Sequence, residues 1–119
     1  MLRPDVLRKK RDFSRLYSKG KSVGDRCLIL FYRKNGFSYN RTAFLASKKV
    51  GKSVARNRAR RLMKESYREL KEAFPPGYDL LFIARNTING LKCADVKKSM
   101  EAALKKSSIE RRKAEGDIS

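Results

Sequence analysis

Hydrophobic and polar residues follow two periods along this chain, one of about two residues and one of about three and a half. From Arg26 to Arg33 the run RCLILFYR sets Cys27, Ile29 and Phe31 on one side of an extended chain and Leu28, Leu30 and Tyr32 on the other. Its length suits a strand, and apolar residues on both faces suit a strand that is covered on both sides. YDLLFIAR, Tyr78 to Arg85, repeats the pattern. RTAFLAS, from Arg41 to Ser47, reads as a strand returning antiparallel to the first, through turn chemistry that includes Asn35-Gly36. Lys21 to Asp25 either leads into the first strand or adds a short one. From Ser53, a candidate N-cap, to about Phe74 the longer period takes over, and Ala55, Ala59, Leu62, Met63, Ser66, Leu70 and Phe74 form one helical stripe.

Shorter signals fill in the rest. Asp12 can cap a first helix with Phe13, Leu16 and Tyr17 on one face, and Gly20 can close it in the left-handed conformation. Pro75-Pro76-Gly77 stops the long helix. A strand reached through such a helix is expected to lie parallel to a neighbour, as in a βαβ unit. Asn86 to Cys93 is a polar connection, and Ala94 or Asp95 opens a last helix with Val96, Met100, Ala103 and Leu104 on its apolar side. Residues 1–11 read as a basic arm with little structure of its own, and residues from Ser107 to 119 as a polar tail. The 119 residues suit a single domain.

Charge changes this picture more than any other property. The chain carries 31 Lys and Arg against 12 Asp and Glu, a formal charge of +19. Between Arg26 and Lys64 there are twelve cations and no acid, and eight of the twelve fall within Ser47 to Lys64, SKKVGKSVARNRARRLMK. Cations at the start of a helix meet the positive end of its macrodipole, so local stability argues against them and a polyanionic partner argues for them. Arg56, Arg60 and Lys64 recur at i, i+4 and i+8, off the apolar stripe, while Glu65, Glu69 and Glu72 compensate only the second half of the helix. Phe31, Tyr32, Phe37, Tyr39 and Phe44 interleave with the cations, a combination common in proteins that bind single-stranded nucleic acid. Phe13 and Tyr17 read equally as core and as a stacking surface for bases.

Other classes fit less well. No apolar run approaches the roughly 20 residues that span a bilayer, and MLRPDVLRKKRDF lacks the apolar core of a signal peptide, so a cytoplasmic protein is expected. Cys27 and Cys93 lie far apart and read as small hydrophobes. Histidine is absent, which removes the residue used most often for acid-base work near neutral pH, and no metal-ligand spacing is present. An autonomous nuclease built on Glu65 and Glu69 competes with a plain ion-pair role for those residues on a cation-rich helix. A structural RNA binder of the ribosomal type, with no role in cleavage, is an alternative that composition allows, and a DNA-binding role is a further one.

The stretch SKKVGKSVARNRARRLMKESYR resembles the protein subunit of bacterial ribonuclease P. The likeness rests on Lys48-Lys49, Gly51 and the Arg56-Asn57-Arg58 signature ahead of a basic helix, and extends to Asp12–Tyr17, Gly20-Lys21-Ser22, the strand from Arg26 and Ile83–Arg85. It covers about residues 8–106. The resemblance implies an α+β fold, a single-domain αβββαβα sandwich of the ribosomal-protein-S5-domain-2-like kind with a left-handed βαβ crossover, against the usual hand. It further implies that an RNA partner hydrolyses one phosphodiester of precursor tRNA with magnesium bound mainly by that RNA. The protein, with no catalytic residue, no metal ligand and no obligate protein partner, would bind the catalytic RNA and the 5′ leader. On this likeness Lys48, Lys49, Lys52, Arg56, Asn57, Arg58, Arg60 and Arg61 face the catalytic RNA. Phe13, Tyr17, Ile29 and Phe31 form the leader cleft, with Lys64 reaching the leader backbone. The chain departs from the family pattern at Asn86-Thr87, usually Lys-Pro, at Leu45, usually smaller and more polar, and at Phe31, often tyrosine.

Overall fold

The computed structural model describes residues 5–109. Three helices and four strands follow one another as α1 (Lys10–Lys19), β1 (Lys21–Gly24), β2 (Leu28–Lys34), β3 (Arg41–Leu45), α2 (Ser53–Leu70), β4 (Tyr78–Ala84) and α3 (Cys93–Lys106). The strands form a single sheet in the order β1-β2-β4-β3. β4 runs parallel to β3, so β3, α2 and β4 make the expected βαβ unit. The expected pairing of β2 with β3 does not form. β3 does run opposite to β2, but β4 lies between them and pairs antiparallel with β2. β4 is apolar on both faces, and the centre of the sheet is the position that covers both.

One face of the sheet is roofed by α2 and α3. Leu28, Leu30, Leu80 and Phe82 are fully buried there against Met63 of α2 and Val96, Met100 and Ala103 of α3. The α2 stripe is buried at Ala59, Met63 and Ser66, and Ser66 satisfies its hydroxyl by donating to the Leu62 carbonyl at 2.8 Å. Cys27 departs from the alternation expected of it. It precedes β2, is buried with the α3 side, and its N–H donates to Ser99 Oγ at 3.2 Å. Ser99 in turn donates to Asp25, whose other oxygen accepts from Lys106 at 2.6 Å. Burial works to raise the Asp25 pKa, but these hydrogen bonds and the Lys106 charge outweigh it and leave the carboxyl lowered.

On the other face the register sets three rows across the sheet: Arg33–Asp79–Arg41, Phe31–Leu81–Ala43 and Ile29–Ile83–Leu45. α1 packs on the middle row, where Leu16 and Leu7 are buried with Ala43 and Leu81 and flanked by Phe13 and Phe31. Asp12 is not the N-cap that its position suggests. Lys9 holds that place, and Asp12 turns inward from the first turn to accept from Arg41 at 3.4 Å. Arg41 also grips Asp79 through two bonds of 2.8 and 2.7 Å, which is the main cause of its raised pKa. Gly20 ends α1 in an extended rather than left-handed conformation; glycine is needed because a Cβ would lie 2.5 Å from the Leu16 carbonyl oxygen. Part of the stretch expected as an arm is packed on the sheet: Leu7 N–H donates to Thr42 O at 2.9 Å and Thr42 N–H to Asp5 O at 2.8 Å alongside β3. Likewise Ile109, within the stretch expected as a polar tail, is buried; residues 1–4 and 110–119 lie outside the described residues. Among the described residues no helix is long and apolar enough to cross a membrane.

Candidate nucleic-acid interface

The loop before α2 is tightly built. Lys49 N–H donates to Ser47 Oγ at 3.2 Å, Val50 is buried, and its carbonyl accepts from Asn89 at 2.7 Å. Gly51 has φ of +144°, and a Cβ there would approach the Ala55 Cβ at 3.0 Å, so the turn into the helix requires glycine. Lys48, Lys49 and Lys52 are left exposed around it. Ser53 does not cap the helix: Lys52 stands at the N-cap, no side chain caps the first turn and no acid lies within it. The N-terminus of α2 therefore presents backbone N–H groups and cations together, the arrangement that suits phosphate.

The cations that the sequence groups together differ in surroundings. Arg61 and Lys64 are exposed. Arg60 donates to the Oδ1 of exposed Asn57, which fixes two of the expected contact residues to each other. Arg58 is half-buried and donates to the Leu91 carbonyl ahead of α3, so it also ties α2 to that connection. Arg56 is half-buried too, with its Nε–H buried and without a hydrogen-bond partner. Among the described residues none of these cations, nor Lys48, Lys49 or Lys52, forms an ion pair. Eight like charges held on one loop and one helix without counter-charge favour an external anion.

Of the aromatic residues, Phe13, Tyr17 and Phe31 lie on the α1 face, whereas Tyr32 and Phe44, which the sequence sets among the cations, pack into the core under α2 and α3. Tyr17, 52% exposed, meets Phe31 edge to face with centroids 5.1 Å apart, while Phe13 packs inward against the Leu16 cluster. Beside them runs the row of Ile29, Ile83 and Leu45. Lys64 borders a groove of about 530 Å³ along the edge strand β3, where α2 and α1 approach each other; it also involves Phe13, Ala43 and Leu45, while Tyr17, Ile29 and Phe31 lie outside its lining. Ile83 and buried Ala43 form the floor of this face, and the sequence pattern alone does not single them out. Their period-two alternation was visible, but not the strand order that places them beside Ile29 and Phe31. Among the described residues no three His, Cys, Asp or Glu side chains converge as a metal site.

Fold and site together define a small basic α+β domain with an aromatic cleft on one sheet face and an uncompensated cationic helix beside it. The chain belongs to the ribonuclease P protein family, whose family model, described as Ribonuclease P, matches residues 1–108. It is 43% identical over 107 residues to the ribonuclease P protein component of Pelotomaculum thermopropionicum, covering 90% of this chain and 96% of that one. With that of Clostridium botulinum it shares 45% over 109 residues, 91% and 98% of the two chains. The solved RNase P protein of Staphylococcus aureus superposes with a TM-score of 0.80 at 28% identity, over 90% of this chain and 98% of that one. For the Thermotoga maritima protein the TM-score is 0.78 at 29% identity, over 87% and 97%. Membership implies a subunit of an endoribonuclease that works with ribonuclease P RNA in tRNA 5′ maturation.

Proposed function

We propose that this chain docks on the catalytic RNA of ribonuclease P through Lys48, Lys49, Lys52, Arg56, Asn57, Arg58, Arg60 and Arg61, and holds the 5′ leader of precursor tRNA in the cleft of Phe13, Tyr17, Ile29 and Phe31, with Lys64 at its border. The observation that carries this is the pairing of an uncompensated cationic helix with an open aromatic face on the same domain. Unpaired bases stack on aromatic faces without sequence readout, and phosphates meet Lys and Arg. Magnesium bound mainly by RNA phosphates supplies the chemistry of in-line phosphodiester displacement. The residues of the chain itself bind and position. The left-handed crossover and the S5-like fold assignment belong to the same reading, as does work in the cytoplasm.

Adding the protein to bacterial ribonuclease P RNA at low magnesium is expected to raise precursor cleavage, and RNA-free protein is expected to leave the precursor intact. No gain over RNA alone would sink the reading. Tyr17→Ala isolates the cleft, because the residue is half exposed and its ring meets Phe31 edge to face. Stability is expected to change by no more than about 0.5 kcal/mol. Affinity for leader-bearing precursor should fall by about 1–3 kcal/mol, the worth of one stacked base, with mature tRNA binding unchanged. Equal losses for both RNAs in a binding titration would assign Tyr17 a role outside leader binding.

A further inference from the structure

α1 divides its sheet face into unlike halves. On one flank lies the apolar row Ile29–Ile83–Leu45 of the cleft; on the other lies the row Arg33–Asp79–Arg41. Two concavities share Arg33 and Lys34, one on that charged flank and one that opens round the sheet toward Tyr32 and Ser108 on the α3 side. One, of about 450 Å³, is walled by Arg11 and Arg15 of α1; the other, of about 460 Å³, is bounded by Lys19, Lys21 and Tyr78. Asp12 and Asp79, the acids of the first concavity, are both engaged by Arg41, and the second has no acid in its lining. Among the described residues none of Arg11, Arg15, Lys19, Lys21, Arg33 and Lys34 forms an ion pair. A merely solvated surface would mix both signs.

We propose that this flank is a second RNA track, which takes the phosphodiester backbone of the leader where the strand leaves the aromatic cleft across α1. The inference rests on the reading that the cleft holds the leader. α1 is the wall common to both surfaces: Tyr17 lies between Arg15 and Lys19 in sequence and faces Phe31 in the cleft. Arg11, Arg15 and Lys19 recur at i, i+4 and i+8, one cation about every 6 Å of helix rise. Arg11 lies in the first turn, where the macrodipole disfavours it, so helix stability does not account for it. At the edge of the first concavity exposed Phe37 stacks on Tyr39, 5.3 Å apart and 14° from parallel, with the Arg41 guanidinium 5.0 Å from the Phe37 centroid. Cations beside exposed rings suit an unpaired strand.

The test compares wild-type holoenzyme with a holoenzyme carrying Arg11→Ala, Arg15→Ala and Lys19→Ala, on precursors with long and with short leaders. Removing three phosphate contacts is expected to weaken long-leader binding by about tenfold or more and to make its log–log salt slope shallower by about 2. Short-leader binding and assembly with the catalytic RNA should be unchanged. An unaltered long-leader affinity overturns the proposal, and so does an equal loss for both leaders or a loss of assembly, which would put the contact on the catalytic RNA. The three side chains are exposed and without ion pairs, so the variant is expected to melt as wild type does; should it not, Arg15→Glu alone carries the same comparison. If wild-type binding does not depend on a leader at all, the cleft reading itself fails. If Tyr17→Ala removes leader dependence and the triple variant retains it, only the track is lost.

Discussion

Phe82→Ala is expected to cost about 3–5 kcal/mol of folding stability, the range for emptying a fully buried aromatic position. Phe82 is completely buried in β4. Phe44 of β3 stacks on it at 5.3 Å, while Tyr67 of α2 and Phe74 just beyond that helix lie 5.6 and 6.1 Å away. The ring is thus the common contact of three segments, and no single one can relax into the space without leaving the others. A domain of this size has about 5–15 kcal/mol in total, so the variant should lie close to unfolding. Urea denaturation is the check: the midpoint should fall sharply with the slope unchanged. A loss under about 1 kcal/mol would show that the aromatic cluster repacks freely. The effect reaches the site as well, since Leu81 and Ile83 on the opposite face of β4 form the floor under α1 and the cleft row.

β2, β4 and α2 were legible in the sequence because each carries its own period. The order of the strands was not, because it depends on which neighbour covers β4 rather than on any local turn. Asn35-Gly36 does make a turn, with Gly36 at φ of +79° and Asn35 Oδ1 accepting from Phe37 N–H at 2.8 Å, yet the chain leaves it for the far side of β4. Asp12 has the composition of an N-cap and a different fate, since its partner Arg41 lies 29 residues away and offers a charge that a helix N-terminus cannot match. Cys27 fits the alternation of β2 in sequence and departs from it in the fold because the residue sits just before the strand. In the site, the excess of cations was plain from composition. The inward turn of Arg58 toward Leu91, against the exposed position of Arg61, depends on how α3 packs, and nothing local to Arg56-Asn57-Arg58 encodes it.

That difference decides how the docking face should be probed. Arg58→Ala removes a hydrogen bond from a charged group to the Leu91 carbonyl and is expected to destabilise the fold, so its effect on RNA binding mixes two causes. Lys49, Lys52 and Arg61 are exposed without ion pairs, and Arg56 holds its Nε–H without a partner. Replacing these four by Ala is expected to make the salt dependence of holoenzyme assembly shallower by about 3 in log–log slope, and to weaken assembly by about a hundredfold or more near 0.1 M salt, if each meets one phosphate. Folding stability should hold or rise slightly, because cations next to the α2 N-terminus oppose the macrodipole. Binding that weakens while melting does not is the signature of a surface kept for a polyanion. Titrations of the catalytic RNA at several salt concentrations, alongside thermal melts, read both quantities. An unchanged slope would take the catalytic RNA off this face, and a parallel loss of stability would make the cations part of the fold.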